Sequence, residues 1–532
     1  MFRRAAQFSR RDAVLLMVGA TAMHLVSSFL PGHPTADSSI IINTHLKHVH
    51  DTPDTEPLPG PPQVPIADAL RVQTVTTTAT TTVTLSPDSH VALQTGTDDL
   101  PFTSIVDHAP GWTLFRNLYM SDGTLYILSD NRSFPEIRLM TSTGMAAENN
   151  PENIAAREPT SHDMDYITPA EARRRWGGTK HNRVSTIQGN TLLVWEPSQF
   201  LRHYYHLVAE LFFGAQAFWH GAWSAPSEAL SNSAKLNHPA PPPLDRVIFA
   251  HSNADGWRDD PGFNRFFMRA AFPSITVEVE EDWQDRVVAT SNSKGVDRAF
   301  HFPYVLLTDR SAAHRGVICG SETQRIAAEA WDYMRKQHKL MGIQAGAWWE
   351  PVRSSILNFA GLEVDRNDMT SLTVPKKVVI TYVSRQGVSR RKLTDASHES
   401  LVKALTELCE RKGWELIVMQ AEKLTKDAQL EVASKTTVML GVHGNGLSHL
   451  LWMPPTKVSA VIEIFYPGGF AHDYHWTSRA LGMSHYGVWN NKYFTYPNEP
   501  KVDYPQGFQE NNIPVDGKTV AQLVEDRIAG KV

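Results

Sequence analysis

The sequence predicts an α/β protein with two Rossmann-like domains facing a cleft, preceded by a membrane anchor and a flexible stem. Three observations carry this. From about residue 101 onward, short apolar runs alternate with helical segments. An arginine-rich N-terminus leads into a charge-free run, Ala13 to Leu30. Between the two, residues 31–100 are rich in proline and threonine and poor in large apolar side chains.

"MFRRAAQFSRRD" carries four arginines, and the eighteen residues "AVLLMVGATAMHLVSSFL" follow without a charge. As a helix at about 1.5 Å per residue that run reaches roughly 27 Å, enough to cross a thin bilayer. The positive-inside rule then keeps residues 1–12 cytosolic, makes 13–30 a type II signal anchor and sends the rest into the lumen of the ER or Golgi. A cleaved signal peptide is the alternative, but its apolar core is normally shorter and no small-x-small site follows. In the expected stem, "DTPDTEPLPGPPQVP" and "TVTTTATTTVTL" offer too little apolar surface to offset chain entropy. Asn131-Arg132-Ser133 is an N-glycosylation sequon that fits lumenal exposure.

With 42% hydrophobic and 20% charged residues over 532 positions, the chain can bury one or two large cores. A formal net charge of −5 carries no polyanion-binding signature. Two cysteines, Cys319 and Cys409, exclude a disulfide scaffold and a thiolate zinc cluster. Whether they pair is left open by their spacing.

In the first half (101–372), "GWTLFRNLYMSDGTLYIL" reads as two strands about an Asp122-Gly123 turn. "TLLVW", "DRVIFA", "SITVEV" and "HFPYVLL" read as further strands, with a long aromatic helix "FLRHYYHLVAELFFGAQAFW" after the first. In the second half (373–532), strands "KKVVITYVSR", "WELIVM", "TTVML" and "KVSAVIEIFYP" alternate with helices and end on "KTVAQLVEDRI". Continuous apolar strands between helices imply a parallel sheet covered on both faces.

In such sheets ligands bind beyond the carboxyl ends of the strands. Three such ends carry suggestive residues. The loop after "VVITYV" presents Arg385, Arg390 and Arg391, whose planar forks suit phosphate oxygens. "GVHGNG" after "TTVML" sets His443 and Asn445 among Gly444 and Gly446, where missing β-carbons and a following helix favour a diphosphate. Glu463 in "VIEIF" is a carboxylate in a buried strand, in need of donors such as ribose hydroxyls. Each also has a plainer reading: a solvated basic loop, an ordinary packing turn, a buried salt bridge. Together they describe a nucleotide-diphosphate pocket.

"VSR…R.KL", "GVHGNGLSHLLW" and "VIEIF", in that order, resemble the signature of the family-61 glycosyltransferases, a superfamily that includes plant β-1,2-xylosyltransferases and O-GlcNAc transferases of EGF domains. "HYYHLVAELFFG" resembles the family's "YH…D/E" helix at His206 and Glu210. The resemblance implies a GT-B fold, an acceptor-side first domain and a nucleotide-sugar-binding second one. It also implies an inverting reaction, with a UDP-sugar as donor and a glycan or glycoprotein hydroxyl as acceptor. Xylose, arabinose and GlcNAc are the sugars it suggests. His206 and Glu210, four apart, share a helix face, and either supplies the base that an inverting transfer needs, or both anchor the helix. Asn445 stands where many relatives have alanine and Thr394 where asparagine is frequent, so donor choice does not carry over. Asp163-Met164-Asp165 follows a polar stretch rather than an apolar strand, so no obligatory metal or other cofactor is expected. The alternative is a non-catalytic lumenal protein of the same fold that binds nucleotide or glycan.

Overall fold

The computed structural model describes residues 100–178, 181–224, 241–291, 297–313, 321–340, 346–363 and 372–532, all within one compact unit. The expected tail, the anchor and all of the stem but Leu100 lie outside the described residues, as does Cys319. Among the described residues no helix is long and apolar enough to cross a membrane.

Two sheets organise the chain. The first has nine strands: β1 (Ser104–Ala109), β2 (Trp112–Ser121), β3 (Thr124–Leu128), β4 (Met164–Ile167), β5 (Val184–Thr186), β6 (Asn190–Pro197), β7 (Arg246–His251), β8 (Thr276–Glu278) and β9 (Ala299–Thr308). The second has six: β10 (Val379–Val383), β11 (Glu415–Met419), β12 (Val438–Val442), β13 (Ala460–Ile464), β14 (Ser484–Trp489) and β15 (Lys492–Phe494). The longer helices are α1 (Phe213–Ala222), α2 (Phe263–Ala271), α3 (Glu280–Thr290), α4 (Ser321–Lys336), α5 (Glu350–Phe359), α6 (Asp395–Lys412), α7 (Lys426–Lys435), α8 (Asp473–Ala480) and α9 (Gly517–Ile528).

The first sheet runs β4-β3-β2-β9-β6-β7-β8, with β1 on β2 and β5 on β9. It departs from the Rossmann-like expectation. Strands β9, β6, β7 and β8 are parallel, but β2 pairs antiparallel with β1, β3 and β9. For β1 and β3 the cause is local, because two-residue connections can join only antiparallel neighbours. Asp122 and Gly123 close β2–β3 at φ 52° and 80°, the two positive values that a type I′ turn requires.

The second sheet matches the alternation read from the sequence. Its order is β11-β10-β12-β13-β14-β15, parallel through β14 and closed by antiparallel β15. Every residue of β10, β12 and β13 is buried, as a strand covered on both faces must be. Ile380, Tyr382, Leu440 and Ile462 pack with α6 and α9 through Leu401, Leu405, Val520 and Leu523. The alternate residues Val383, Met439 and Val461 join the opposite core, so strand periodicity also turns Glu463 to that side.

That opposite core is continuous with the first sheet, taking in Leu192, Val194 and Phe249. Aromatic residues stitch the two together. Trp452 Nε1 donates to the Tyr204 hydroxyl at 2.7 Å, Trp349 Nε1 donates to the Leu451 carbonyl at 3.1 Å, and the two indoles stack at 5.9 Å. Strand order reverses between β10 and β12, where successive connections leave in opposite directions and open a crevice at the carboxyl ends. Val383 pairs with Gly441 across that point, so the arginine loop and the glycine turn emerge side by side.

Candidate active site

His206 and Glu210 do not sit on an ordinary α-helix. Tyr205–Phe212 wind as a π-helix that runs directly into α1, a geometry that recurs at functional sites. The two side chains still share a face, with His206 Nδ1 2.6 Å from Glu210 Oε2. Arg310, just past β9, donates from Nη1 to the same oxygen at 2.7 Å and from Nε to Glu196 Oε1 at 2.9 Å. Glu196 lies at the end of β6, the neighbour of β9 in the sheet. All three charged groups are buried. Glu210 Oε1 is buried without a partner. Arg202, one turn before His206, points away and pairs with Asp260 at the surface.

On the second sheet, Arg385 turns back over its own loop. Its Nε and Nη2 donate to the carbonyls of Arg391 and Arg390, each at 3.2 Å. Arg391 takes φ 56°, a strained value for a residue with a β-carbon, and its Nε is buried without a partner. Burial pushes the Arg391 guanidinium below its ordinary value. Burial, then the charge of Arg391, pushes Arg385 down to about 10. Arg390 is half-buried and no described residue bonds its side chain. The guanidiniums crowd one another, and the charge of Arg390 adds to the lowering of both Arg385 and Arg391.

The glycine turn serves this crowding. A β-carbon on Gly444 would lie 2.5 Å from Arg385 Nη1, and one on Gly446 would lie 2.8 Å from Val383 Cγ1. Gly444 thus makes room for a guanidinium of the chain itself, and the α-helix expected after the turn is a 3₁₀ segment, Asn445–Trp452. Gly444→Ala is expected to leave stability almost unchanged, since an arginine tip can move aside. It should weaken anion binding by displacing that tip, as a paired denaturation and UDP titration would read.

Asn445 Oδ1 accepts from the Ser448 hydroxyl at 3.3 Å. Thr394 caps α6, its hydroxyl accepting from the Ser397 amide at 3.2 Å. Both departures from the family pattern therefore have local structural uses.

Glu463 does not wait for ribose hydroxyls. Its Oε1 is 2.5 Å from His443 Nδ1 and its Oε2 is 2.8 Å from His485 Nε2. Burial holds the carboxyl well above its ordinary value, with the Asp473 charge adding. Burial likewise pushes both imidazoles well below theirs. Burial thus disfavours the charged form of each member, and the trio is bonded internally. What it does is fix the His443 ring, whose Nε2 no described residue bonds.

The two halves of the site meet. Ring contacts run from His206 to Tyr205 at 5.4 Å, Tyr205 to Tyr474 at 5.1 Å and Tyr474 to His443 at 5.7 Å. Asp473, the first residue of α8, is pushed up to about 7 by burial and then by the Glu210 charge, against the pull of His206 and Arg391. His203 Nδ1 is buried without a partner. Burial, then His206, Arg391 and Arg390, push its ring down to about 3. His203, Glu210, Arg391 and Asp473 therefore each bring one orphaned buried atom to the same neighbourhood. Native interiors rarely leave polar atoms so, unless a ligand or water completes them.

Of the residues expected from the sequence, His206, Glu210, Arg385, His443 and Glu463 come together here, and Gly444 shapes the turn. Arg391, named with its loop in the sequence, joins them, whereas Asp473, His203, Arg310 and Glu196 were missed as site residues. Asn131 is exposed, its Oδ1 accepting from the Ser133 amide at 3.1 Å. Asp163 Oδ2 accepts from the Thr160 amide at 2.7 Å, beside the edge strand β4. Cys409 is a buried free thiol.

Residues 332–461 match the family model described as Glycosyltransferase 61. The match spans Arg385, Arg390, Arg391 and the glycine turn. It stops just before Glu463 and leaves His206, Glu210 and Asp473 outside. No curated protein matches the chain. Two solved structures are weakly similar. A diflavin flavoprotein A3 from Nostoc sp. is 14% identical over 30% of this chain and 99% of its own, at a TM-score of 0.18. The Flv1 flavodiiron core from Synechocystis sp. is 11% identical over 56% and 81%, at 0.19. Neither bears on the fold at such scores. The chain is thus similar to the glycosyltransferase 61 family over residues 332–461.

Proposed function

We propose that the protein is an inverting glycosyltransferase that moves a sugar from a UDP-sugar to a hydroxyl of a glycan or glycoprotein. One observation carries the reading: three crowded guanidiniums on one sheet's loop face unpaired carboxyl and imidazole atoms from the other sheet. In this reading the arginines hold the diphosphate and neutralise the charge it gains as the sugar leaves, while His443 donates a hydrogen bond to it from Nε2. Fixed positive groups do this without a divalent ion, so none is required. His206 and Glu210 belong to the acceptor side, residues 101–372, and residues 373–532 form the donor side, in a GT-B arrangement. Glu463 acts through His443, by holding its ring.

The N-terminal sequence supports a type II membrane protein with this region in the ER or Golgi lumen, glycosylated at Asn131. The resemblance to the family over residues 332–461 favours xylose, arabinose or GlcNAc as the sugar.

The test is UDP binding and turnover in EDTA, across UDP-xylose, UDP-arabinose and UDP-N-acetylglucosamine. At a hundredfold excess over Kd, UDP should stabilise the fold by about 2.7 kcal/mol in a melt, and one donor should release UDP when acceptor is present. Binding with no turnover on any donor points to a non-catalytic protein. No shift with UDP removes the reading.

A further inference from the structure

We propose that Asp473 is the catalytic base, its carboxylate taking the proton from the acceptor hydroxyl. The inference rests on the transferase reading above and names the group that reading leaves open.

The two carboxyls nearest the seam are not equivalent. Glu210 Oε2 is already occupied by Arg310 Nη1 and His206 Nδ1, at 2.7 and 2.6 Å. Each carboxyl carries one buried, unpartnered oxygen, Glu210 Oε1 and Asp473 Oδ2, but among the described residues no basic side chain is in hydrogen-bond contact with Asp473. It stands on α8 immediately before Tyr474, whose ring touches both Tyr205, beside His206, and His443 on the arginine side. A group at that position faces acceptor and leaving group together. The titratable and charged groups around it are Glu210 and His206 from the π-helix, Arg391 from the loop after β10 and Glu463 from β13. The nearby phenols of Tyr205 and Tyr474 are pushed well above their ordinary range by burial, then by Asp473, so they stay neutral. Burial and the fixed Glu210 charge keep the Asp473 carboxylate basic, near the value that suits proton abstraction at neutral pH. Glu210, held by Arg310, is then a positioning residue.

The step balances. The acceptor oxygen bonds to the anomeric carbon as its proton passes to Asp473 Oδ2. The bond from the anomeric carbon to the phosphate oxygen breaks, and its electron pair leaves with UDP, beside Arg385, Arg390 and Arg391. Asp473 returns the proton to solvent.

The experiment compares wild type, Asp473→Asn, Asp473→Glu and Glu210→Gln, using whichever UDP-sugar the wild type consumes. Wild-type kcat/KM should fall as pH drops through about 7, since a base with a raised value is lost by protonation. Asp473→Asn should lower kcat by roughly 10²- to 10⁴-fold, keep UDP affinity and lose the acid limb. Asp473→Glu should recover part of the rate. Retained UDP binding in each variant shows that the fold is intact. An acid limb that survives in Asp473→Asn overturns the proposal, whatever the fall in rate, and so does its disappearance in Glu210→Gln alone. A wild type that binds no UDP sinks the transferase reading first, and this proposal with it. Transfer with an unmoved limb sinks only the assignment of Asp473.

Discussion

Arg391→Gly is expected to weaken UDP binding by roughly 10- to 150-fold while thermal stability holds or rises. The affinity follows from losing one charge-assisted contact, about 1.5–3 kcal/mol. The stability follows from the backbone. Arg391 holds φ 56°, which glycine adopts freely, and its half-buried side chain leaves Nε buried and unpaired, a desolvation cost that the substitution removes. Protein that evolves a strained, half-satisfied cation in a crevice keeps it for what it binds. Calorimetric titration with UDP and a thermal melt on the same preparation check both halves. A loss of stability with affinity intact would make Arg391 a structural residue.

Arg310→Met is expected to cost about 3–5 kcal/mol, the usual price of stripping one partner from a buried ion network. Glu196 and Glu210 would be left facing each other, and burial already holds Glu196 above its ordinary value while Arg310 draws it down. Denaturant midpoints at constant slope measure this. Adding Glu196→Gln and Glu210→Gln to Arg310→Met should recover part of the loss, because the neutral set no longer buries unpaired charge. Transfer should fail in every one of these variants, since His206 and Glu210 lose the clamp that holds them. A drop of under about 1 kcal/mol in Arg310→Met would mean the network is solvated, as surface pairs are.

What the sequence revealed and what it hid divide along physical lines. Apolar strand runs such as "VITYV" and "TTVML" depend on local burial pattern, and the second sheet follows them closely. The Asp122-Gly123 turn is equally local. The first sheet was misjudged because "TLFRNLYM" reads as a strand without saying which neighbour it takes, and β2 and β9 meet across most of the domain.

The π-helical winding left no trace either. "HYYHLVAELFFG" has a helical apolar face, and the insertion that widens it is set by packing under the seam. In the arginine loop, sequence order could not tell which of two consecutive arginines turns inward. Arg390 and Arg391 were both expected at the phosphates, and it is Arg391 that takes a positive φ and buries its Nε. Glu463 was rightly marked as a carboxylate too costly to leave unpaired, but its partners, His443 and His485, come from the ends of different β-strands. Asp473 looked like an ordinary acidic residue opening a helix. Only the meeting of α8 with the π-helix shows it buried beside Glu210.

The most direct test is a structure of the protein with UDP bound. Arg391 and His443 Nε2 should lie within hydrogen-bond distance of the diphosphate, and Asp473 and His206 should face the open side of the β-phosphate, where a sugar and its acceptor would sit. A diphosphate bound elsewhere, or bound here with Arg391 and His443 turned away, would contradict the convergence on which every assignment depends.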